Sequence, residues 1–398
     1  MAAPRTTTAL VVPELNGQFE LQEVRLNDIQ PDEVLVEIEA FGICHTDLSC
    51  ATALLPCRPG AVLGHEGAGK VLSVGSSSTT HLSPGDSVLL SFSHCESCPP
   101  CLSGHPAYCH SFNARNFSGC RPLPVLPDGS VDSASLKDDP FTDPSYATFF
   151  STKDDGKPLF SQFFGQSSFA RHTLVHKSCC VKVPPGTNLP LYAPMGCGMQ
   201  TGAGAVLHSL GVKAGSSIAV FGVGSVGMAA VMAAAHIAKA KTIIAIDLQE
   251  SRLELAKKLG ATHAVLSSRV RQDIKKEVRR ICPPVGVDYA VDCTGSMYVI
   301  RCMIEALATR GRAATVGAPG FGKVVAVDVM EHLTYGKEYV GSCEGDSLPK
   351  EFIPFLIDQH AKGNFPMDQL VTFYDVKDYK QALEDSHNGK AIKAVLKW

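Results

Sequence analysis

The sequence predicts an α/β protein of two domains, one a doubly wound parallel sheet and the other rich in β-strands. Three observations carry that prediction. The 398 residues suffice for two full hydrophobic cores. From Ser217 onward, short apolar runs alternate with helical patterns, as in a parallel sheet covered on both faces. Before about Leu191 the chain shows short strand patterns broken by glycine and proline instead.

Residues 34–41 (VLVEIEAF) alternate apolar and acidic side chains, which predicts a half-buried strand. Turn signals follow at Pro59-Gly60, Gly67, Gly69, Gly75 and Pro84-Gly85, so the first domain should be barrel-like or irregular. Residues 119–158 are rich in Pro, Asp, Ser and Phe and have no period, which suits a lid, a binding loop or a surface insertion equally. Residues 218–221 form an apolar strand pattern, followed by a glycine turn and a small-residue helix to Ala238. Residues 242–246 are the next strand, and residues 249–259 an amphipathic helix closed by Gly260 at a C-cap position. Further strands are expected at 287–291 and 313–316. After about Gly341 the pattern is mixed, and the tail is too short for a core of its own. The expected division is 1–198 with 342–398 in the first domain and 199–341 in the second.

Composition narrows the function classes. Hydrophobic residues at 45% and charged residues at 19% fit a globular chain in water. A formal net charge of -3 lacks the electrostatic footprint of nucleic-acid binding. The most apolar helical stretch, 226–240, carries His236 and Lys239 and is shorter than the roughly 20 residues a membrane span needs. Residues 1–8 lack the apolar core of a signal peptide. The 15 cysteines are odd in number, and four crowd between Cys95 and Cys109. That points to metal binding in a reducing compartment, most simply the cytosol, and no membrane or nucleic-acid partner is expected.

Cys95, Cys98, Cys101 and Cys109 follow a C-x2-C-x2-C-x7-C spacing. Four thiolates saturate a tetrahedral zinc, although an iron–sulfur cluster accepts the same ligands. Pro99, Pro100 and Pro106 leave this loop little regular structure, so a metal would order it. Three further candidates are dispersed: Cys44 in GICHTDL, His65 in GHEGAG and Cys197 in PMGCGMQTGAG. Two thiols and one imidazole leave one coordination position open, as catalytic zinc requires. Taken singly, a lone histidine or cysteine is more often structural.

Gly222, Gly224 and Gly227 form a G-x-G-x-x-G after an apolar strand and before a helix. Asp247 ends the next strand about 20 residues on, which completes a dinucleotide-binding pattern. Asp247 is expected at the adenosine ribose hydroxyls, favouring NAD over NADP, and the nearby Arg252 would soften that preference.

The Cys44-His45-Thr46-Asp47 segment, Gly64-His65-Glu66, the four-cysteine lobe, Cys197 and the glycine loop occur here together and in one order. In this the chain resembles, over nearly its whole length, the zinc-containing alcohol dehydrogenases of the medium-chain dehydrogenase/reductase family. Residues 163–172 (FFGQSSFARH) and 196–206 (GCGMQTGAGAV) look most like its aryl and allylic, benzyl-type members. The resemblance implies a GroES-like catalytic domain, a Rossmann domain for NAD and two zinc ions. Cys44, His65 and Cys197 would hold the catalytic zinc, and the four-cysteine lobe the structural one.

Further roles are implied by the resemblance. Glu66 would lie beside the metal as a transient ligand, Asp47 would orient His65, and Thr46 would accept the substrate hydroxyl proton. His45 and Lys393 would reach the cofactor pyrophosphate. Leu48 and Ser49 stand where many members carry a relay histidine. The proton's exit is therefore open between His45 and the cofactor ribose with water. The expected activity is oxidation of a primary aryl or allylic alcohol to the aldehyde, or the reverse, by a homodimer or homotetramer. Phe92, Phe117 and phenylalanines of 141–164 are candidates for an apolar pocket lining. Three other readings are kept: a dehydrogenase for a specialised biosynthetic intermediate, a glutathione-dependent formaldehyde dehydrogenase, and an NAD- and zinc-binding sensor or scaffold.

Overall fold

The computed structural model describes residues 6–76, 81–121, 148–270 and 274–398. The chain divides into two compact units. One comprises Met1–Cys197, Leu348–Pro354 and Leu370–Trp398, the other Gly198–Ser347 and Phe355–Gln369.

The first unit is built on two sheets. A four-stranded antiparallel sheet runs in the order Ala61–Val62, Thr6–Val12, Glu20–Leu26, Phe150–Thr152. A seven-stranded sheet centres on Glu33–Gly42, which contains the predicted strand. Gly67–Val74 and His172–His176 pair antiparallel with that strand, and Ser87–Leu90 and Cys180–Val183 extend the sheet. Its other edge is supplied by the tail. Lys393–Lys397 pairs antiparallel with Glu33–Gly42, setting Val395 opposite Gly42, and Val371–Asp375 adds alongside. Of the tail, Leu348–Pro354 and Leu370–Trp398 therefore belong to the first unit.

The second unit is a six-stranded parallel sheet. Its order is His263–Leu266, Thr242–Asp247, Ser217–Phe221, Val287–Asp292, Leu307–Thr315, Glu338–Gly341. The strand order reverses at Ser217–Phe221, which makes the crevice beyond Phe221 and Asp292 the switch point where such sheets bind ligands. Ile244, Ile246, Val265, Val278, Ile300, Met303 and Leu307 belong to one buried core cluster in this unit. Helix Glu250–Lys258 ends as predicted, with Gly260 at φ +116° just beyond it.

Residues 342–347 and 355–369, expected with the first domain, lie in the second unit. Backbone contact explains the first of these segments. A Cβ on Gly204 would sit 2.2 Å from the Gly345 carbonyl oxygen, and Ser342 Oγ is 2.8 Å from Ser209 Oγ. Among the described residues, no helix is long and apolar enough to cross a membrane. Of the unpatterned stretch 119–158, residues 122–147 lie outside the described residues.

Candidate active site

Local capping chemistry places the first candidate ligand. Strand Glu33–Gly42 gives way to helix His45–Ala51, with Cys44 as its N-cap in extended conformation. Asp47, at the third helical position, reaches back so that Oδ2 accepts the Cys44 backbone N–H at 3.0 Å. Its other oxygen accepts from the Gly64 N–H at 3.1 Å and pairs with His65 Nδ1 at 2.9 Å. Asp47 is fully buried. A carboxylate at Nδ1 fixes the proton there and leaves the Nε2 lone pair available. His65 Nε2 is buried and has no hydrogen-bond partner among the described residues. Gly64 permits the close approach, at φ +92°, where a Cβ would lie 2.5 Å from the Phe169 nitrogen.

Cys44, His65, Glu66 and Cys197 each present one ligand atom, all within 4.8 Å of one another. Cys197 is held by its neighbour: a Cβ on Gly196 would fall 1.8 Å from the Leu90 oxygen, and Ser91 Oγ donates to the Gly196 carbonyl at 2.7 Å. The contact with Cys197 and the charges of His65 and Lys393 hold the Cys44 thiol well below its usual pKa, against the effect of burial. Two thiols and an orphaned imidazole nitrogen fit a zinc ion with one position to spare, and the Glu66 carboxylate lies beside that set.

Lys393 departs from its expected place at the pyrophosphate. Its ammonium is buried under Glu66, 2.8 and 2.9 Å from the two carboxylate oxygens, and donates to the Ile43 carbonyl at 3.1 Å. The tail strand explains this, because the Ile43 N–H donates to the Ala394 carbonyl and so carries the neighbouring Lys393 to the metal site's edge. Gly42 leaves room for the pair, since a Cβ there would meet Glu66 Oε2 at 2.0 Å. Burial pushes the Glu66 carboxyl up to about 7 even beside this ammonium.

Thr46 is half-buried, with Oγ1 3.7 Å from Cys44 Sγ, and His45 is exposed. Leu48 is half-buried and Ser49 buried. The metal site also has an aromatic wall. Phe164 stacks on the His65 ring with centroids 4.5 Å apart, and Phe163 meets its edge at 5.4 Å. Phe117 packs on both phenylalanines and Phe112 on Phe164. Phe92 is one layer removed, against Phe112 and His94. Of the expected lining, then, Phe163 and Phe164 stand against a ligand, Phe117 packs behind them, and Phe141 lies outside the described residues.

The four-cysteine lobe closes on itself. Sulfur separations are 3.8 Å for Cys95–Cys101, 3.4 Å for Cys98–Cys101 and 3.9 Å for Cys98–Cys109. A tetrahedron of thiolates at about 2.3 Å from zinc has edges of about 3.8 Å, whereas a disulfide would be about 2.05 Å. Backbone N–H groups of Cys98 and Cys95 donate to Cys95 Sγ and Cys109 Sγ, which favours the thiolate form.

In the second unit the three loop glycines have three separate reasons. Gly222 has φ +83° and a Cβ there would strike Thr294. Gly227 packs against the Gly222 carbonyl, 2.0 Å from where its Cβ would be. Gly224 faces open space and is the N-cap of helix Ser225–Met232, so an anion can approach its backbone closely. Asp247 ends its strand with Oδ2 accepting the Val223 N–H at 2.8 Å and Oδ1 the Gln249 N–H at 2.9 Å. Each oxygen keeps a lone pair for a ribose hydroxyl. Arg252 Nη1 lies 3.9 Å from Asp247 Oδ2, so the expected softening residue is drawn to the carboxylate itself.

Residues 30–135 match the alcohol dehydrogenase GroES-like domain and residues 225–361 the zinc-binding dehydrogenase family. The chain is 36% identical over 388 residues to a geraniol dehydrogenase of Castellaniella defragrans, covering 98% of this chain and 96% of that protein. It is 32% identical to an S-(hydroxymethyl)glutathione dehydrogenase of a Synechocystis species, covering 98% of each. A solved benzyl alcohol dehydrogenase from Acinetobacter calcoaceticus is 38% identical and superposes with a TM-score of 0.88 over 99% of both chains.

Proposed function

The chain belongs to the zinc-dependent alcohol dehydrogenases of the medium-chain dehydrogenase/reductase family, and from that premise we propose that it oxidises primary aryl or allylic alcohols to aldehydes with NAD. The observation that carries the substrate class is the aromatic wall of Phe164 and Phe163 on the ligand His65, backed by Phe117. Flat conjugated groups bind such faces in offset or edge contact. The named activities of the geraniol and benzyl alcohol relatives, one allylic and one aryl, agree with it.

When bound, zinc supplies Lewis-acid polarisation of the alcohol oxygen and NAD accepts the hydride. Cys44, His65 and Cys197 hold that zinc, and Asp47 keeps the His65 lone pair turned toward it. Thr46 Oγ1, beside Cys44 Sγ, takes the substrate hydroxyl proton, and exposed His45 next to it leads toward solvent. The phenylalanines exclude water and seat the apolar part of the alcohol. Glu66, neutralised by Lys393, stays at the metal's edge as a ligand for exchange. Gly222, Gly224 and Gly227 bind the pyrophosphate, and Asp247, with Arg252 beside it, the adenosine ribose. Six of the fifteen cysteines are placed to hold metal and none forms a disulfide, a usage that suits the cytosol.

The test is NADH formation by zinc-loaded protein with benzyl alcohol, geraniol and S-(hydroxymethyl)glutathione. We expect turnover of the first two, with kcat/KM higher for NAD than for NADP. Turnover of the glutathione adduct alone would replace this reading with the formaldehyde dehydrogenase one. No turnover of any substrate would support a sensor or scaffold.

We also propose a homodimer. Strand Glu338–Gly341 stands last in the strand order of its sheet. Val324, Val329, Met330 and Leu333, from the segment and helix before it, are largely exposed. A cluster of exposed apolar side chains is suited to the same face on a second copy. Light scattering after size-exclusion chromatography should give a dimer that Leu333→Glu converts to monomer. A tetramer, or a dimer indifferent to that substitution, would count against this face.

A further inference from the structure

The segment 162–168 carries more than the aromatic wall. Gln162, Phe164, Gly165 and Ser167 all have positive φ, a backbone that three of these four side chains rarely adopt. Packing must enforce it, and the whole segment is buried. At its centre the Gln166 side-chain amide reaches two other chain segments, at residues 65–67 and at Ser91. Nε2 donates to the His65 carbonyl at 3.0 Å and to the Ser91 carbonyl at 2.8 Å, and Oε1 accepts the Gly67 N–H at 3.2 Å. Only one amide orientation suits two carbonyls and one N–H, so the side chain is fully specified. Thr173 Oγ1 donates to the Gln166 carbonyl and anchors the residue itself.

These bonds join the segment that carries His65 to the one that contacts Cys197's neighbour. His65 is a candidate ligand, and Gly67 starts the strand that follows Glu66. Ser91, held by Gln166 through its carbonyl, donates through its hydroxyl to the Gly196 carbonyl, next to Cys197. A single buried amide thus connects the backbone at His65 with the backbone at Cys197. Residues distant in sequence need such a tie, because neither ligand's own segment fixes its separation from the other.

We propose that Gln166 is a positioning residue for the open zinc site, setting the His65–Cys197 separation through Ser91. This rests on the reading of Cys44, His65 and Cys197 as zinc ligands. Gln166→Met keeps the length and removes all three bonds. Zinc release to a chelator and the visible absorption of the cobalt-substituted protein are followed together. The unaltered protein should release two zinc ions in separate phases. The variant should release the open-site ion about 10-fold faster and shift the cobalt spectrum of that site, with the four-cysteine ion unchanged.

Asn116→Leu serves as a control, because Asn116 makes a comparable buried amide clamp on Ser93 and Phe112. It should leave the open-site spectrum intact. Should Gln166→Met not fold, Gln166→Glu, which keeps the size, carries the same comparison. If the unaltered protein holds only the four-cysteine zinc, the ligand reading fails. If it holds both and the variants release both at unaltered rates with an unaltered spectrum, or Asn116→Leu shifts that spectrum equally, the role of Gln166 fails.

Discussion

Lys393→Met should destabilise the protein by about 3–5 kcal/mol, the usual cost of leaving one partner of a buried ion pair uncompensated. Glu66 and Lys393 are both almost fully buried, and both Glu66 oxygens are held by this one ammonium. Without it the carboxylate must take up a proton or stay charged without that counter-ion. Glu66→Gln in the same background should recover most of the loss, because a neutral amide needs no counter-charge. The measurement is chemical denaturation of the two single variants and the double variant. A pyrophosphate role for Lys393 predicts something different: a raised KM for NAD with stability nearly unchanged. A loss below about 1 kcal/mol would remove the ion pair as a stabilising element.

The misplacement of Lys393 shows where sequence reasoning stops. The four-cysteine lobe is legible because its ligands lie within one short loop, so spacing alone states the tetrahedron. The glycine loop is legible because strand, turn and helix follow one another between Ser217 and Met232. Lys393 meets Glu66 across 327 residues, through a strand pairing that no local pattern encodes. The short strands His263–Leu266 and Glu338–Gly341 carry no legible pattern either, having four residues each and no clear alternation in their burial. Gln166 sits in a motif that carried the family likeness, yet its role depends on three partners far away in the chain. A glutamine inside an otherwise apolar, small-residue run was the one available signal, since a buried amide must find partners.

Asp47→Asn should weaken zinc binding at the open site about 10- to 100-fold while leaving the four-cysteine ion in place. The argument starts from donors. All three partners of the Asp47 carboxylate, the Cys44 N–H, the Gly64 N–H and His65 Nδ1, present hydrogens to it. Asparagine has one accepting oxygen, so in either orientation its own NH2 faces at least one of those donors. Whichever way it turns, either the helix cap at Cys44 or the orientation of His65 is lost. Those two losses act on the same metal, because the cap positions one ligand and the imidazole contact aims another. Asp47→Ala should be worse, leaving all three donors without a partner in a fully buried place. Competition with a chromophoric chelator should then show the stoichiometry falling from two zinc ions per chain to one. Binding of NADH should persist, since Gly222, Gly224, Gly227 and Asp247 are in the other unit. Two zinc ions bound at unaltered affinity in Asp47→Asn would mean that the capping contact and the imidazole contact do not jointly set the ligand geometry.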